Sequence, residues 1–482
     1  MRLVAARILR YNDGMKNLAT ALESVPRKIK VTVYLSVLAA AVLVFFGAFA
    51  VYLRGFAHAD RIAAATAQEQ LYLAGLLDDA YPAERTSILK PLPYPIVSAD
   101  LDVHAGSAIL VDAANGCVIY EKNADEVIPP ASLTKLFVMY VAFQELSAGN
   151  ISLDDVVPLP ERSWAVNLPR DSSLMFLGQG QTVTLRELMT GLSVASGNDA
   201  AIAIAAYIAG DTATFVERMN EEARRLGLTH THFEEPSGYS ERNVTTAREF
   251  ATFAQVYVTR YPEALRDFHS VREIRYPLEK NLAPWEKHKG DSAAVQQSNT
   301  NALLRTLEGC DGIKTGFIYE SGFNLALTAE RNGVRFISVT MRGPGAAATG
   351  RRFRELDGET IMEWAFARFA DYYPAQHIAP WYTVAVTGAT THFVRLVPAW
   401  TNALTVPHLA GLTALDDAAA VTATVQVPRF LSDVVRVGDV YGSISYRLGD
   451  RELARVPLVA DRNAERAGFW RRLYGGMAKR FL

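Results

Sequence analysis

Pro129-Pro130-Ala131-Ser132-Leu133-Thr134-Lys135 is the stretch on which the reading of this 482-residue chain turns. The two prolines exclude helix upstream and allow one to begin at Ser132. Ser132 and Lys135 are three apart, so in a helix they share one face. The hydroxyl then sits at a helix N-terminus, where free N–H groups and the helix dipole favour developing negative charge. A serine needs a base to become a nucleophile. A lysine serves if burial and a second cation lower its pKa. The tetrad alone is common, expected about once or twice in a chain of this length at average usage. Ser87-Ile88-Leu89-Lys90 is a second instance. Pro91 follows it and works against helix, so that pair has no reason to share a face.

Two further triplets lie downstream. Ser196-Gly197-Asn198 falls between two helical stretches and reads as a loop presenting two short polar side chains. A hydroxyl there can relay protons, and an amide can bond a substrate peptide group; taken alone, a helix cap is the more ordinary use of such residues. Lys314-Thr315-Gly316 lies in the short strand Asp311–Gly316 and is expected only about 0.1 times by composition. Alternation puts Lys314 and Gly316 on one face and Thr315 on the other, so a site here needs the strand's edge or a local twist. Glycine lets another backbone approach, and an extended peptide can add along such an edge. The plainer reading is an edge strand guarded by a lysine.

The triplets are separated by 64 residues, Ser132 to Ser196, and by 116, Asn198 to Lys314. Together they resemble the Ser-x-x-Lys, Ser-x-Asn, Lys-Thr-Gly set of penicillin-binding proteins and serine β-lactamases. ASLTK, SGNDA, DGIKTG and a small β domain after them resemble the low-molecular-mass penicillin-binding proteins that are D-alanyl-D-alanine carboxypeptidases. The likeness runs from about Ala105 to the C-terminus. It implies an α+β fold of the penicillin-binding-protein and β-lactamase type: an antiparallel sheet with helices around it and a helical subdomain, then an all-β domain. It also implies a serine peptidase that removes the terminal D-alanine from peptidoglycan stem pentapeptides and is acylated by β-lactam antibiotics, without cofactor or metal. Carried over by residue, Ser132 is the acylated nucleophile, Lys135 its base, Ser196 a proton relay and Asn198 a substrate-amide ligand. Lys314 supplies positive potential that helps keep Lys135 neutral, and Thr315 and Gly316 line the carboxylate end. The backbone N–H groups of Ser132 and Phe317 form the oxyanion hole. A Gly-Arg after the late hairpin binds the carboxylate; Gly350-Arg351 is the best match, with Arg352 adjacent. The middle triplet is Ser-Gly-Asn rather than Ser-Asp-Asn, and Glu234 and Glu235 carry no Glu-x-x-x-Asn pattern, which departs from the β-lactamases. A DD-endopeptidase or weak β-lactamase on the same fold, and a non-catalytic cell-wall scaffold, are the alternatives.

Around this centre the chain divides into six parts. Residues 1–30 hold seven basic and two acidic residues and are expected to stay cytoplasmic. Residues 31–53 are free of charge and long enough to cross a ~30 Å hydrocarbon core. Ala57-His58-Ala59 has the form of a signal-peptidase site, so a cleaved signal and a retained anchor both fit. Residues 54–95 read as a linker, helical over Asp60–Asp79 and broken by Pro91, Pro93 and Pro95. The catalytic domain is expected over 96–375. It opens with a hairpin about Asn115-Gly116, followed by helices in the middle, a hairpin over Asn324–Gly343 and a helix over Gly358–Ala370. Residues 376–462 show only short β runs. Residues 463–482 form a stripe of Phe469, Trp470, Leu473, Tyr474, Met477 and Phe481 with basic residues largely opposite, as in an interfacial membrane helix. The family commonly carries such an anchor. The expected location is the inner membrane, with the catalytic domain on the periplasmic side.

Composition sets the outer limits. Hydrophobic residues at 50% and charged residues at 21% exclude disorder over most of the chain. A net charge of −2 hides a polarised chain: the basic ends leave −12 for the body, and no global basic excess points to nucleic acid. Two cysteines, Cys117 and Cys310, exclude a Cys₄ zinc site. They can pair in an oxidising compartment if geometry allows. His230-Thr231-His232 lacks the companions of a metal site.

Overall fold

The computed structural model describes residues 26–59, 62–82, 89–96, 100–408, 414–432 and 434–481. Most of the basic N-terminus, and Ser87 and Ile88 of the second Ser-x-x-Lys, lie outside the described residues.

The Asn115-Gly116 turn joins β1 (Ser107–Asp112) to β2 (Cys117–Lys122), with Gly116 at φ +74. All six residues of β1 are buried. Ile109 and Val111 enter one core, Ala108 and Leu110 another, so the period-two alternation faces packed layers on both sides. β3 (Cys310–Ile318), β4 (Gly322–Arg331) and β5 (Val334–Gly343) complete the sheet. Its order is Lys90–Pro91, β2, β1, β5, β4, β3. The first and last thirds of the catalytic region therefore share one sheet, because β1 pairs antiparallel with β5. β3 is an edge strand, the first of the two settings, edge or local twist, that the Lys-Thr-Gly alternation allows for a site.

Helices cover the Ile109 face. Lys135–Ala148 is buried almost all round over its first nine residues, with Phe137 stacked on Phe253 and tilted against Phe233. The helix on the other face starts at Ala347 and runs to Arg368, not from Gly358. The Gly-rich run before it reads as loop, but alanine is the strongest helix former and extends the helix N-terminally.

A second unit follows. β6 (Phe369–Tyr372) pairs with β9 (Leu404–Pro407). A six-stranded sheet contains β7 (Tyr382–Thr387), β8 (Phe393–Pro398), β10 (Thr422–Gln426), β11 (Phe430–Ser432), β12 (Val440–Leu448) and β13 (Arg451–Ala460) in the order β10, β12, β13, β8, β7, β11. Part of the expected linker is docked on this unit. The Ala67–Ala80 helix, opened by a Thr66–Glu69 capping box, lays Leu73, Leu77 and then Tyr81 against Ala399, Val459 and Trp400. The four-residue spacing of those three side chains makes one apolar face that must be covered.

The cysteines are both free. They lie on β2 and β3, four strand spacings apart in the sheet. That is about 19 Å, far beyond a disulfide's reach.

A buried polar cluster joins the two units. Thr405 Oγ1 donates to Asp112 Oδ2 at 2.5 Å, Asn115 Nδ2 donates to Asp112 Oδ2 and Thr405 Oγ1, and Tyr94 Oη donates to the Thr405 carbonyl. Asp371 of β6 shares a hydrogen bond with Asp112. Burial, then the neighbouring Asp112, holds the Asp371 carboxyl well above the usual range, and burial raises Asp112 too. The pair therefore keeps a proton between them. Because the folded-state pKa is raised, this contribution to stability is complete below the unfolded value near 3.8 and is lost as pH rises through the folded value. Asp371→Asn should raise Tm by about 2–4 °C at pH 9 and less at pH 5. Scanning calorimetry at the two pH values checks this; an equal change at both contradicts the shared proton.

Candidate active site

Ser132 sits in a short 3₁₀ turn, Ala131–Thr134, which runs directly into the Lys135–Ala148 helix. The two forms join because the 3₁₀ turn tightens a helix entrance. Ala131, just before Ser132, holds φ +52 in the left-handed region, a conformation that costs a non-glycine residue about 1–3 kcal/mol. Two glycines press on the same backbone. A Cβ on Gly238 would lie 1.8 Å from the Ala131 carbonyl oxygen, and one on Gly316 would lie 2.7 Å from that of Pro130. No larger residue fits at either point. Asn324 Nδ2 donates to the Pro129 carbonyl from below, at 3.0 Å.

Lys135 is 1% exposed and has no carboxylate within hydrogen-bond distance among the described residues. Its Nζ donates to Ser132 Oγ at 2.8 Å, Asn198 Oδ1 at 2.8 Å and the Ser237 carbonyl at 2.5 Å. Burial depresses the amine to about 7, against the opposing pull of Glu235 and Asp199. A neutral amine can keep donating to Asn198 and Ser237 and offer its lone pair to the Ser132 hydroxyl. Burial is thus the dominant cause.

Ser196-Gly197-Asn198 links the Leu185–Val194 helix to the Asn198–Ala209 helix. Ser196 is in the left-handed region at φ +57, and its buried Oγ has no hydrogen-bond partner among the described residues. Asp199 holds this corner: it accepts from the backbone N–H groups of Met175 and Leu177, and Asn198 N donates to the Ser173 carbonyl. The helix-cap reading does not describe Asn198, whose side chain reaches Lys135 instead.

Lys314 pairs across the ladder with Ala326, and Gly316 with Asn324, so both face the Ser132 turn. Thr315 points the other way, and its Oγ1 donates to Thr300 Oγ1 at 2.7 Å. Lys314 is 2% exposed, and its Nζ donates to its neighbour's carbonyl. Burial first, then the Lys135 and Arg354 cations, hold its pKa well below the ordinary lysine value. Behind the strand, His269 Nε2 meets Tyr257 Oη at 2.7 Å and Nδ1 meets Ser193 Oγ at 3.2 Å. Burial pushes this imidazole to about 3, so it stays neutral.

Arg351 and Arg352 are exposed on their helix and do not join this group. Arg354 does. It is 5% exposed, its Nη2 donates to the Thr300 carbonyl at 3.2 Å, and its guanidinium lies 5.9 Å from the Phe323 ring centroid. The Gly-Arg pairing drew attention to Arg351, but the helix begins at Ala347 and its inward face falls at Gly350 and Arg354, one turn apart. Thr300, a link between Arg354 and Thr315, had no sequence signal.

The bracing role of Glu235 also emerges only here. Its carboxylate accepts from Ser237 N, Ser237 Oγ, Gly238 N, Ser240 N and Asn243 Nδ2, at 2.5–3.3 Å. Asn243 Nδ2 also donates to Thr134 Oγ1 on the Ser132 turn. This brace brings the Ser237 carbonyl onto Lys135. A cleft opens over Ser132, lined by Asn198, Gly238, Tyr239, Phe317 and Tyr319. Phe317 is half-exposed there, immediately after Gly316.

Residues 95–345 match the family model described as D-alanyl-D-alanine carboxypeptidase, of the peptidase S11 group. D-alanyl-D-alanine carboxypeptidase DacC of Escherichia coli K12 is 32% identical over 385 residues, covering 79% of this chain and 89% of that one. Among solved structures, penicillin binding protein 5 from Haemophilus influenzae is 28% identical, with a TM-score of 0.63 over 77% of this chain and all of that one. Penicillin binding protein 6B from Escherichia coli is also 28% identical, with a TM-score of 0.59 over 77% of this chain and 99% of that one. On these matches the chain belongs to the S11 peptidases and is a penicillin-binding serine D-alanyl-D-alanine carboxypeptidase.

Proposed function

We propose that Ser132 is the nucleophile of this carboxypeptidase and neutral Lys135 its general base. The observation that carries this is the 2.8 Å contact between the Ser132 hydroxyl and an amine that burial brings to about 7. Lys135 takes the hydroxyl proton as Oγ attacks the carbonyl of the penultimate D-alanine. The oxyanion settles between the backbone N–H groups of Ser132 and Phe317. Collapse breaks the peptide bond, and terminal D-alanine leaves with a proton passed through Ser196, whose buried hydroxyl has a free bonding capacity among the described residues. Water then cleaves the Ser132 ester. Asn198 holds the substrate amide while it also orients Lys135.

Lys314 and Gly316, on the face toward Ser132, and Thr315 and Arg354, joined through Thr300 at the strand's edge, receive the terminal carboxylate. Lys314 and Arg354, buried and without a carboxylate partner among the described residues, favour an anion, and its arrival opposes the lowering of the Lys314 pKa. Arg354 takes the place expected of Arg351. The peptidoglycan stem peptide ending in a free carboxylate is the substrate, and β-lactams acylate the same serine. Glu235 argues against β-lactamase action. Its carboxylate is engaged by backbone and side-chain donors of its own loop, which leaves it poorly placed to activate water. We further propose that residues 31–53 cross the inner membrane and the C-terminal helix lies at its surface, with the catalytic domain on the periplasmic side. The apolar, exposed Arg27–Arg54 helix supports this.

Ser132→Ala should abolish covalent labelling by a fluorescent penicillin; labelling that survives overturns the nucleophile. A base must be neutral to act, so the rate of acylation should rise through about pH 7 and then level off. Because Glu235 raises the Lys135 pKa and also braces its loop, Glu235→Gln should move that midpoint to lower pH and lower the plateau about tenfold. A rate profile from pH 5 to 9 checks both, and an unmoved midpoint rejects the role of Glu235. Arg354→Ala should weaken D-alanine release from a pentapeptide about 100-fold, more than it slows penicillin acylation. Arg351→Ala should change neither; a larger effect at Arg351 restores the original assignment.

A further inference from the structure

Phe45, Phe49, Tyr52 and Phe56 recur at spacings of four, three and four, so they form one stripe on the outer end of the apolar N-terminal helix. Most of that helix is bare: Leu43 and Val44 are more than 70% exposed. This stripe is covered, and the cover is the other end of the chain. The Tyr474 ring lies 5.2, 5.9 and 6.0 Å from the rings of Phe45, Phe49 and Tyr52, and Phe481 lies 6.0 Å from Phe49. Ala478 is fully buried in the same cluster.

Both helices are also held by the β domain. Gly388 N donates to Tyr52 Oη at 3.3 Å, and Phe56 packs on His392 and Phe393 with centroids at 4.8 and 5.7 Å. A Cβ on Gly475 would stand 2.5 Å from Gly388 N, so the C-terminal helix rests directly on that strand's end. Arg471 Nη1 donates to the Thr390 carbonyl at 2.9 Å. The chain beyond the helix stays attached: Arg395 donates to the Ile62 carbonyl and Arg462 to that of Ala63.

We infer that the N-terminal helix is retained in the mature protein, and that it and the Phe469–Ala478 helix form one two-helix clasp that seats the β domain on a phospholipid bilayer. Cleavage after Ala59 would remove the whole aromatic stripe and uncover Tyr474, His392 and Phe393. A signal helix destined for removal has no reason to complete a core at the far end of the chain. The clasp leaves Phe469, Trp470, Leu473 and Phe481 exposed beside the bare helix, with Lys479 and Arg480 exposed near them. Aromatic rings and cations at the outer end of an apolar span fit the interface between acyl chains and anionic headgroups. The C-terminal helix is then a collar on the span, fixed to it through Tyr474, rather than an independent anchor. This rests on the reading that residues 31–53 cross the bilayer.

The test uses the full chain in vesicles of phosphatidylethanolamine and phosphatidylglycerol, with a benzophenone amino acid replacing either Tyr474 or Phe469. The probe at 474 should cross-link to residues 45–56 and the probe at 469 to lipid. Phe49→Ala with Tyr52→Ala should abolish the 474 cross-link while the chain still resists alkaline carbonate extraction. Penicillin labelling reports that each variant remains folded. Cross-linking of position 474 to lipid alone overturns the clasp, as does a membrane-isolated chain whose mass begins after Ala59. A wild-type chain released by carbonate removes the membrane reading and the clasp with it, whereas carbonate resistance without the 474 cross-link removes the clasp alone.

Discussion

The site depends on a single buried amine. Lys135 is enclosed with three oxygen acceptors and, among the described residues, no bonded carboxylate, and the desolvation penalty on its charged form is what brings it to about 7. A salt bridge would stabilise the ammonium and remove the base. The surrounding structure therefore supplies neutral acceptors from three separate segments: the Ser132 turn, the Ser196–Asn198 corner and the Ser237 loop. Each is held by polar groups one layer out, including Asp199 behind Asn198 and Glu235 behind Ser237. These carboxylates bond backbone N–H groups instead of the lysine. Their field opposes the depression without cancelling it.

Strain and close approach sit at the same places. Ala131 and Ser196 occupy left-handed backbone, and Gly238 and Gly316 let a loop and the edge strand touch the backbone that carries Ser132. Such costs persist only where the surroundings over-determine the conformation. Here the surroundings are a sheet packed on both faces and a helix buried nearly all round at its start, so the turn at Ser132 has little freedom to relax. The second unit joins this rigid body through Asp112, Asn115, Thr405 and Asp371, a polar joint between two apolar cores.

Much of this was legible before any coordinates. The Ser-x-x-Lys, Ser-x-Asn and Lys-Thr-Gly triplets, the Asn115-Gly116 hairpin and the need for Lys314 to lie at a strand edge or a local twist follow from local spacing and turn chemistry. Arg354 was not legible, because the rival Arg351 sits beside a glycine and only the helix's true start sets which arginine turns inward. The sequence says of Glu235 only that it lacks the β-lactamase Glu-x-x-x-Asn pattern; its partners are donors up to eight residues away in a folded loop, which no pattern announces. The stretch after residue 54 read as linker since its apolar spacing is short and its partner strands lie more than 300 residues later.

The sequence by itself determined the reactive groups, their order and the strand and helix periods that carry them, because those depend on residues near each other in the chain. Tertiary structure alone decided the electrostatics and the company. How deeply Lys135 is buried, which arginine faces it, which carboxylates stay off it and how the N-terminal helix meets the C-terminal one are matters of distance between remote segments. Desolvation and packing act through space, and the chain's order does not encode them directly.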